Sequence, residues 1–123
     1  MAKYTTTVGG SLSELVTYIK HNESRMGSTI TLEEEITGTA DSVKYWVGTY
    51  ERYAVLGENR VSLNVMLIEY SEGVKVIATA SGGSQAAFFK INTWSEGNFL
   101  DAFVAAIKSY KEKKENRYMK RKR

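Results

Sequence analysis

The chain has 123 residues, 42% of them hydrophobic and 25% charged, the size and balance of one globular domain that buries about two thirds of its unfolded surface. It has no cysteine, which excludes disulfides, thiol nucleophiles and thiolate metal sites. The net charge of +3 hides a division: Lys111 to Arg123 carry eight basic and two acidic side chains, a net of +6, whereas the other 110 residues carry nine basic and twelve acidic, a net of −3.

Met1-Ala2-Lys3-Tyr4-Thr5 contains no apolar run of the signal-peptide kind. The longest aliphatic stretch, Val65-Met66-Leu67-Ile68, is far short of the roughly 20 residues of a membrane span. With the missing cysteine, this leads us to expect a cytoplasmic protein with no membrane contact. Proline is absent too, so chain reversals must rely on glycine, asparagine and serine.

Tyr4 to Val8 is threonine-rich and reads as a strand, broken at Gly9-Gly10. Ser11-Leu12-Ser13-Glu14 has the spacing of a capping box. Leu12, Leu15, Val16 and Ile19 follow as one helical stripe, ending between Lys20 and Arg25, ahead of Gly27. In 28–36, Ile30, Leu32 and Ile36 are expected on one face of a strand, with a turn over Thr37 to Asp41. Val43 to Tyr53 is a long strand with two large-residue faces: Val43, Tyr45, Val47 and Thr49 on one, Trp46, Gly48, Tyr50 and Arg52 on the other.

Leu56-Gly57-Glu58-Asn59 closes a hairpin, and Val61, Leu63, Val65 and Leu67 give the cleanest alternation in the chain. Ser71-Glu72-Gly73 makes a short turn into a strand whose inner face is Val74, Val76, Ala78 and Ala80. Ala86 to Ile91 is read as a short extended segment. A final helix starts at the Ser95 cap, with Trp94 and Phe99 as a hydrophobic staple. It carries Phe99, Leu100, Phe103, Val104 and Ile107 as its apolar stripe and frays from Lys108 onward.

Strands joined by short turns run antiparallel, and two amphipathic helices cover one face of such a sheet. The expected fold is therefore α+β, strand–helix–four or five strands–helix, with both helices packed on one face. Residues 1–110 form the single domain, and residues 111–123 a basic tail, either a helix extension or disordered. This element order is similar to TATA-binding-protein-like and helix-grip folds, an analogy of fold that implies no function.

Tyr50-Glu51-Arg52-Tyr53, Asn59-Arg60-Val61-Ser62-Leu63, Ser81-Gly82-Gly83-Ser84-Gln85 and Phe88-Phe89-Lys90-Ile91-Asn92-Thr93 leading to Phe99-Leu100 together resemble a family of small uncharacterised bacterial proteins, a domain of unknown function. The resemblance runs from Lys3 to about Tyr110 and leaves out the tail. It implies a bacterial cytoplasmic protein and brings no catalytic residue, ligand or cofactor.

A triad or a histidine metal site would have to be centred on His21, the one histidine, and no neighbouring motif supports either. Its place near a helix C-terminus suits the helix dipole instead. Glu33-Glu34-Glu35 offers fewer oxygens than a hard cation wants and reads better as a charged strand that discourages edge pairing. Ser81, Gly82, Gly83, Ser84 and Gln85 could turn backbone N–H groups on an anion, but they lack the Lys-Ser/Thr ending of a phosphate loop and read as a glycine loop. We therefore expect no catalytic residue, metal or cofactor, and a protein that is not an enzyme.

The most telling feature is a second sheet face. If Val47, Leu63, Val65 and Val76 meet the helices, then Trp46, Tyr50, Arg52, Asn64, Met66, Ile68, Lys75 and Ile77 face away, where a solvated sheet should be polar. Such a surface implies a partner, first of all a second copy in a homo-oligomer, unless the chain's own tail or Ala86 to Ile91 covers it. Two other readings stand beside it. One is a small molecule or lipid held between sheet and last helix, lined by Tyr45, Phe99 and Phe103. The other is nucleic acid bound by the basic tail and the aromatic face, with Lys44, Arg52 and Lys75 meeting phosphates.

Overall fold

The computed structural model describes residues 2–27, 30–53, 60–82 and 96–122. In chain order these form β1 (Ala2–Val8), α1 (Leu12–His21), α2 (Glu23–Met26), β2 (Thr31–Ala40), β3 (Val43–Tyr53), β4 (Arg60–Tyr70), β5 (Gly73–Gly82) and α3 (Glu96–Lys122). The five strands make one antiparallel sheet in the order β1-β5-β4-β3-β2, and the helices pack against it, the expected α+β arrangement. No helix among the described residues is long and apolar enough to cross a membrane.

The start of α1 is built as its spacing predicts. The Ser11 hydroxyl accepts the Glu14 N–H at 3.2 Å, and the Glu14 carboxylate accepts the Ser11 N–H at 3.3 Å. Glu69 of β4 adds a third acceptor, taking the Leu12 N–H at 2.6 Å and so tying the helix to the sheet. Leu12, Leu15 and Ile19 then point into the core. On the other side Phe99, Phe103 and Ile107 of α3 are fully buried against β5, β1 and β4. The short side chains of Ala78 and Ala80 on β5 leave room for those rings at close-packed density.

Three local readings of the sequence are corrected. The β2–β3 turn is not 37–41 but the two residues Asp41 and Ser42, at φ 48° and 73°, so β2 runs on to Ala40. Positive φ at both central residues gives a turn whose twist matches the strands, with no glycine to announce it. Gly38 stays in the strand because the Tyr45 ring lies across it, where a Cβ would collide. A bulge is the second correction: Leu32 pairs with Tyr50 but Glu34 with Thr49, so Glu33 is the extra residue. Ile36 is thereby turned away from Leu32, onto the opposite face of the sheet.

The third correction concerns α3, which does not fray at Lys108 but continues through the basic segment to Lys122. Tyr110 is buried beside Tyr18 with ring centroids 4.8 Å apart. Lys111 donates to the Thr6 hydroxyl at 3.0 Å, and Lys114 reaches both Glu14 oxygens at 3.0 Å. These contacts hold the first turns of the extension to α1 and β1. The hairpin closure at Leu56 to Asn59, the extended segment Ala86 to Ile91 and the Trp94-Ser95 helix start lie outside the described residues.

Candidate functional site

The two faces of the sheet sort β3 differently from the expectation. Trp46 and Tyr50 are 0% exposed and, with half-buried Arg52, lie under the helices rather than on the outward face. The reason is parity. Tyr53 pairs with Arg60, so six residues intervene and the even-numbered positions of β3 share a face with the odd-numbered positions of β4. Tyr50 therefore pairs with Leu63 and Trp46 with Leu67, while Val47 turns outward opposite Met66.

Each inward group finds a partner for its polar end, as buried aromatic residues require. The Trp46 indole N–H donates to Glu35 at 2.8 Å, and the Tyr50 hydroxyl to Glu23 at 2.7 Å. Arg52 donates to the Met26 carbonyl at 3.4 Å, its guanidinium 4.9 Å from the centre of the Phe99 ring. Gly48 is what lets the indole lie flat along β3, since a Cβ there would meet the six-membered ring. Burial, then the Glu23 carboxylate, pushes the Tyr50 phenol well above its ordinary range. Lys20, then the Trp46 N–H, holds Glu35 below the usual carboxylate range.

The rest of the expected face does point outward. Asn64, Met66, Ile68, Lys75 and Ile77 all lie on the side away from the helices. They are joined there by three residues that sequence reasoning placed elsewhere: Ile36, Val47 and Tyr45. The register lines up Ile36, Val47, Met66 and Ile77 in one row across four adjacent strands, ending at Thr5 of β1. Ile36 is 49% and Met66 40% exposed. The row on one side is Gly38, Tyr45, Ile68, Lys75 and Thr7, and on the other Glu34, Thr49, Asn64, Thr79 and Lys3. Among the described residues no element packs on this face. The bulge and the loop parity were the signals that would have found the row, and neither is visible as alternation.

The other expected sites are less built. Ser81 and Gly82 are the last residues of β5, paired with Ser62 and Val61, and Gly83, Ser84 and Gln85 lie outside the described residues. His21 is exposed at the end of α1. The glutamate triplet sits on the edge strand β2, where Glu33 meets the Thr31 hydroxyl and Glu35 meets Lys20 and Trp46. Phe99 and Phe103 fill the described part of the space between sheet and last helix, and Tyr45 is on the opposite side of the sheet from them. A groove of about 350 Å³ runs instead between α1 and the β2–β3 edge, over Leu12, Val16 and Trp46. Its two carboxylates are already engaged, Glu35 by Lys20 and Trp46 and Glu69 by the Leu12 N–H.

An antiparallel sheet with helices on one face and a nonpolar row on the other defines a two-layer α+β domain with one side left open. The chain belongs to DUF6054, a family of unknown function, whose model matches residues 1–111. No curated protein matches the sequence. The matched region ends where the basic segment begins.

Proposed function

We propose that the domain is a non-enzymatic interaction module that pairs with a second copy of itself through the outer sheet face. The observation that carries this reading is the row Ile36, Val47, Met66 and Ile77, continuous across four strands and uncovered among the described residues. A solvated antiparallel face is normally polar, and apolar surface of this extent usually meets a partner. Five strands about 4.8 Å apart, from 7 to 11 residues long, present roughly 800 Å², the share one partner contributes to a standard interface.

Charge supports a particular symmetry. A two-fold axis lying between two such sheets, parallel to β4, sets β1 of one copy over β2 of the other and leaves each row on itself. Met66 then faces its own counterpart and Ile77 faces Val47. Lys3 and Glu34, at opposite ends of one row, face each other, and Lys75 comes over the Tyr45 ring. Packing at the roughly 30° crossing of twisted sheets keeps the pairs near the axis in contact.

Sedimentation equilibrium of the full chain tests the reading. The wild-type chain is expected as a dimer, and Met66→Glu, which places two carboxylates face to face on the axis, as a monomer of unchanged fold. A wild-type chain that stays monomeric at high concentration, or a dimer indifferent to Met66→Glu, contradicts it.

A further inference from the structure

The charge of this protein is divided in space as well as in sequence. The domain body is net negative and the 13 residues from Lys111 are net +6, yet residues 111–122 continue a helix that is packed on the body through Tyr110. The stripe of α3 that is apolar over the sheet, Phe99, Phe103, Ile107 and Tyr110, passes into Lys114 and Arg117 at the same helical spacing. Lys114 is held by Glu14, and Lys113 sits 5.7 Å from the centre of the Tyr18 ring. Beyond these anchors the helix continues to Lys122.

Cations also line up along the helix. Positions 113, 117, 120 and 121 follow i, i+4, i+7 and i+8 and share a face, all four of them lysine or arginine. Glu112 and Glu115, the only acids in the segment, fall off that row, as do Lys111 and Lys122. A cationic helix that is already folded loses little ordering entropy when it docks, unlike a disordered basic tail.

We propose that this helical extension is a docking surface for the phosphate backbone of nucleic acid, reading charge and not sequence. A linear polyanion matches a linear row of cations, and the net-negative body directs contact to the extension. An anionic membrane is the poorer match, because a helix lying in a lipid surface needs an apolar face and the segment offers only Tyr118 and Met119. The surface is on the opposite side of the sheet from the outer face, so the proposal stands whether or not the domain dimerises.

Fluorescence anisotropy of a short mixed-sequence duplex titrated with the full chain tests it. Roughly four phosphate contacts predict a log–log salt slope of about −3.6, or about 100-fold weaker binding between 50 and 200 mM salt. A chain ended after Tyr110 and the double variant Arg117→Glu/Arg121→Glu should each bind at least tenfold more weakly, with helical circular dichroism of the domain retained. The double variant keeps Lys111 and Lys114, so its loss of binding is not a loss of docking. A flat salt dependence, equal binding by the double variant, or tighter association with phosphatidylserine vesicles than with the duplex overturns the proposal.

Discussion

One strand, β3, carries large side chains on both sides, and the two sides meet opposite fates. Inward, Trp46 and Tyr50 are fully buried, and their polar tips are bonded to Glu35 and Glu23 at the rim of the helix layer. Outward, Tyr45 and Val47 lie in adjacent rows of a face that no described element covers. Hydrophobicity does not distinguish the two; what does is the register with β4, which sets Trp46 and Tyr50 beside inward-facing Leu67 and Leu63 and turns Val47 out beside Met66. The inner row is a matter of stability and the outer row a matter of association, and substitutions should separate them.

The largest effect is expected on the inner side. Trp46→Ala removes a fully buried indole and should cost about 3–5 kcal/mol, read from denaturant unfolding. Gly48→Ala should cost about 1–3 kcal/mol, because the added methyl displaces the indole lying across it. Tyr50→Phe keeps the ring and takes away the donor to Glu23, so about 1–2 kcal/mol should be lost with little change in near-ultraviolet dichroism.

A smaller effect should appear on acidification. Lys114 and the Ser11 N–H lower the Glu14 pKa, and Lys20 and Trp46 lower that of Glu35. A carboxyl depressed on folding adds stability that is present above its unfolded value of about 4.5 and fades as pH falls through the folded value. Thermal stability should therefore fall below about pH 4.5, and Lys20→Ala should flatten part of that slope. Both carboxylates are solvent-exposed, which keeps the change small. Smallest of all, on the outer side, Met66→Glu should alter monomer stability by no more than about 0.5 kcal/mol while abolishing the dimer, the reverse of the inner pattern.

Much of the fold was legible in the sequence. The capping box at Ser11 and Glu14, the alternation of β4 and β5 and the stripe on α3 all follow from local spacing, and the structure realises each as read. What was not legible depended on partners distant in sequence. Alternation gives two faces to β3 but not which one meets the helices; that is decided by the parity of the β3–β4 connection. Glu33 looks like any edge glutamate until the pairing skips it, and the skip sends Ile36 to the outer face. Asp41-Ser42 lacks the glycine that marks most two-residue hairpins. The site was half legible for the same reason: its β4 and β5 members were found, and its β2 and β3 members were exchanged for the inner row.

The absence of cysteine permits a direct test of the symmetry, since any thiol introduced is the only one present. Met66→Cys puts a sulfur on the two-fold axis, and mild oxidation should yield a disulfide-linked dimer. Lys3→Cys places its thiols about four strand spacings apart, roughly 19 Å, beyond the reach of a disulfide. Cross-linking at position 66 and none at position 3 is the predicted result; no cross-link at 66, or equal yield at both positions, would contradict pairing through the outer sheet face.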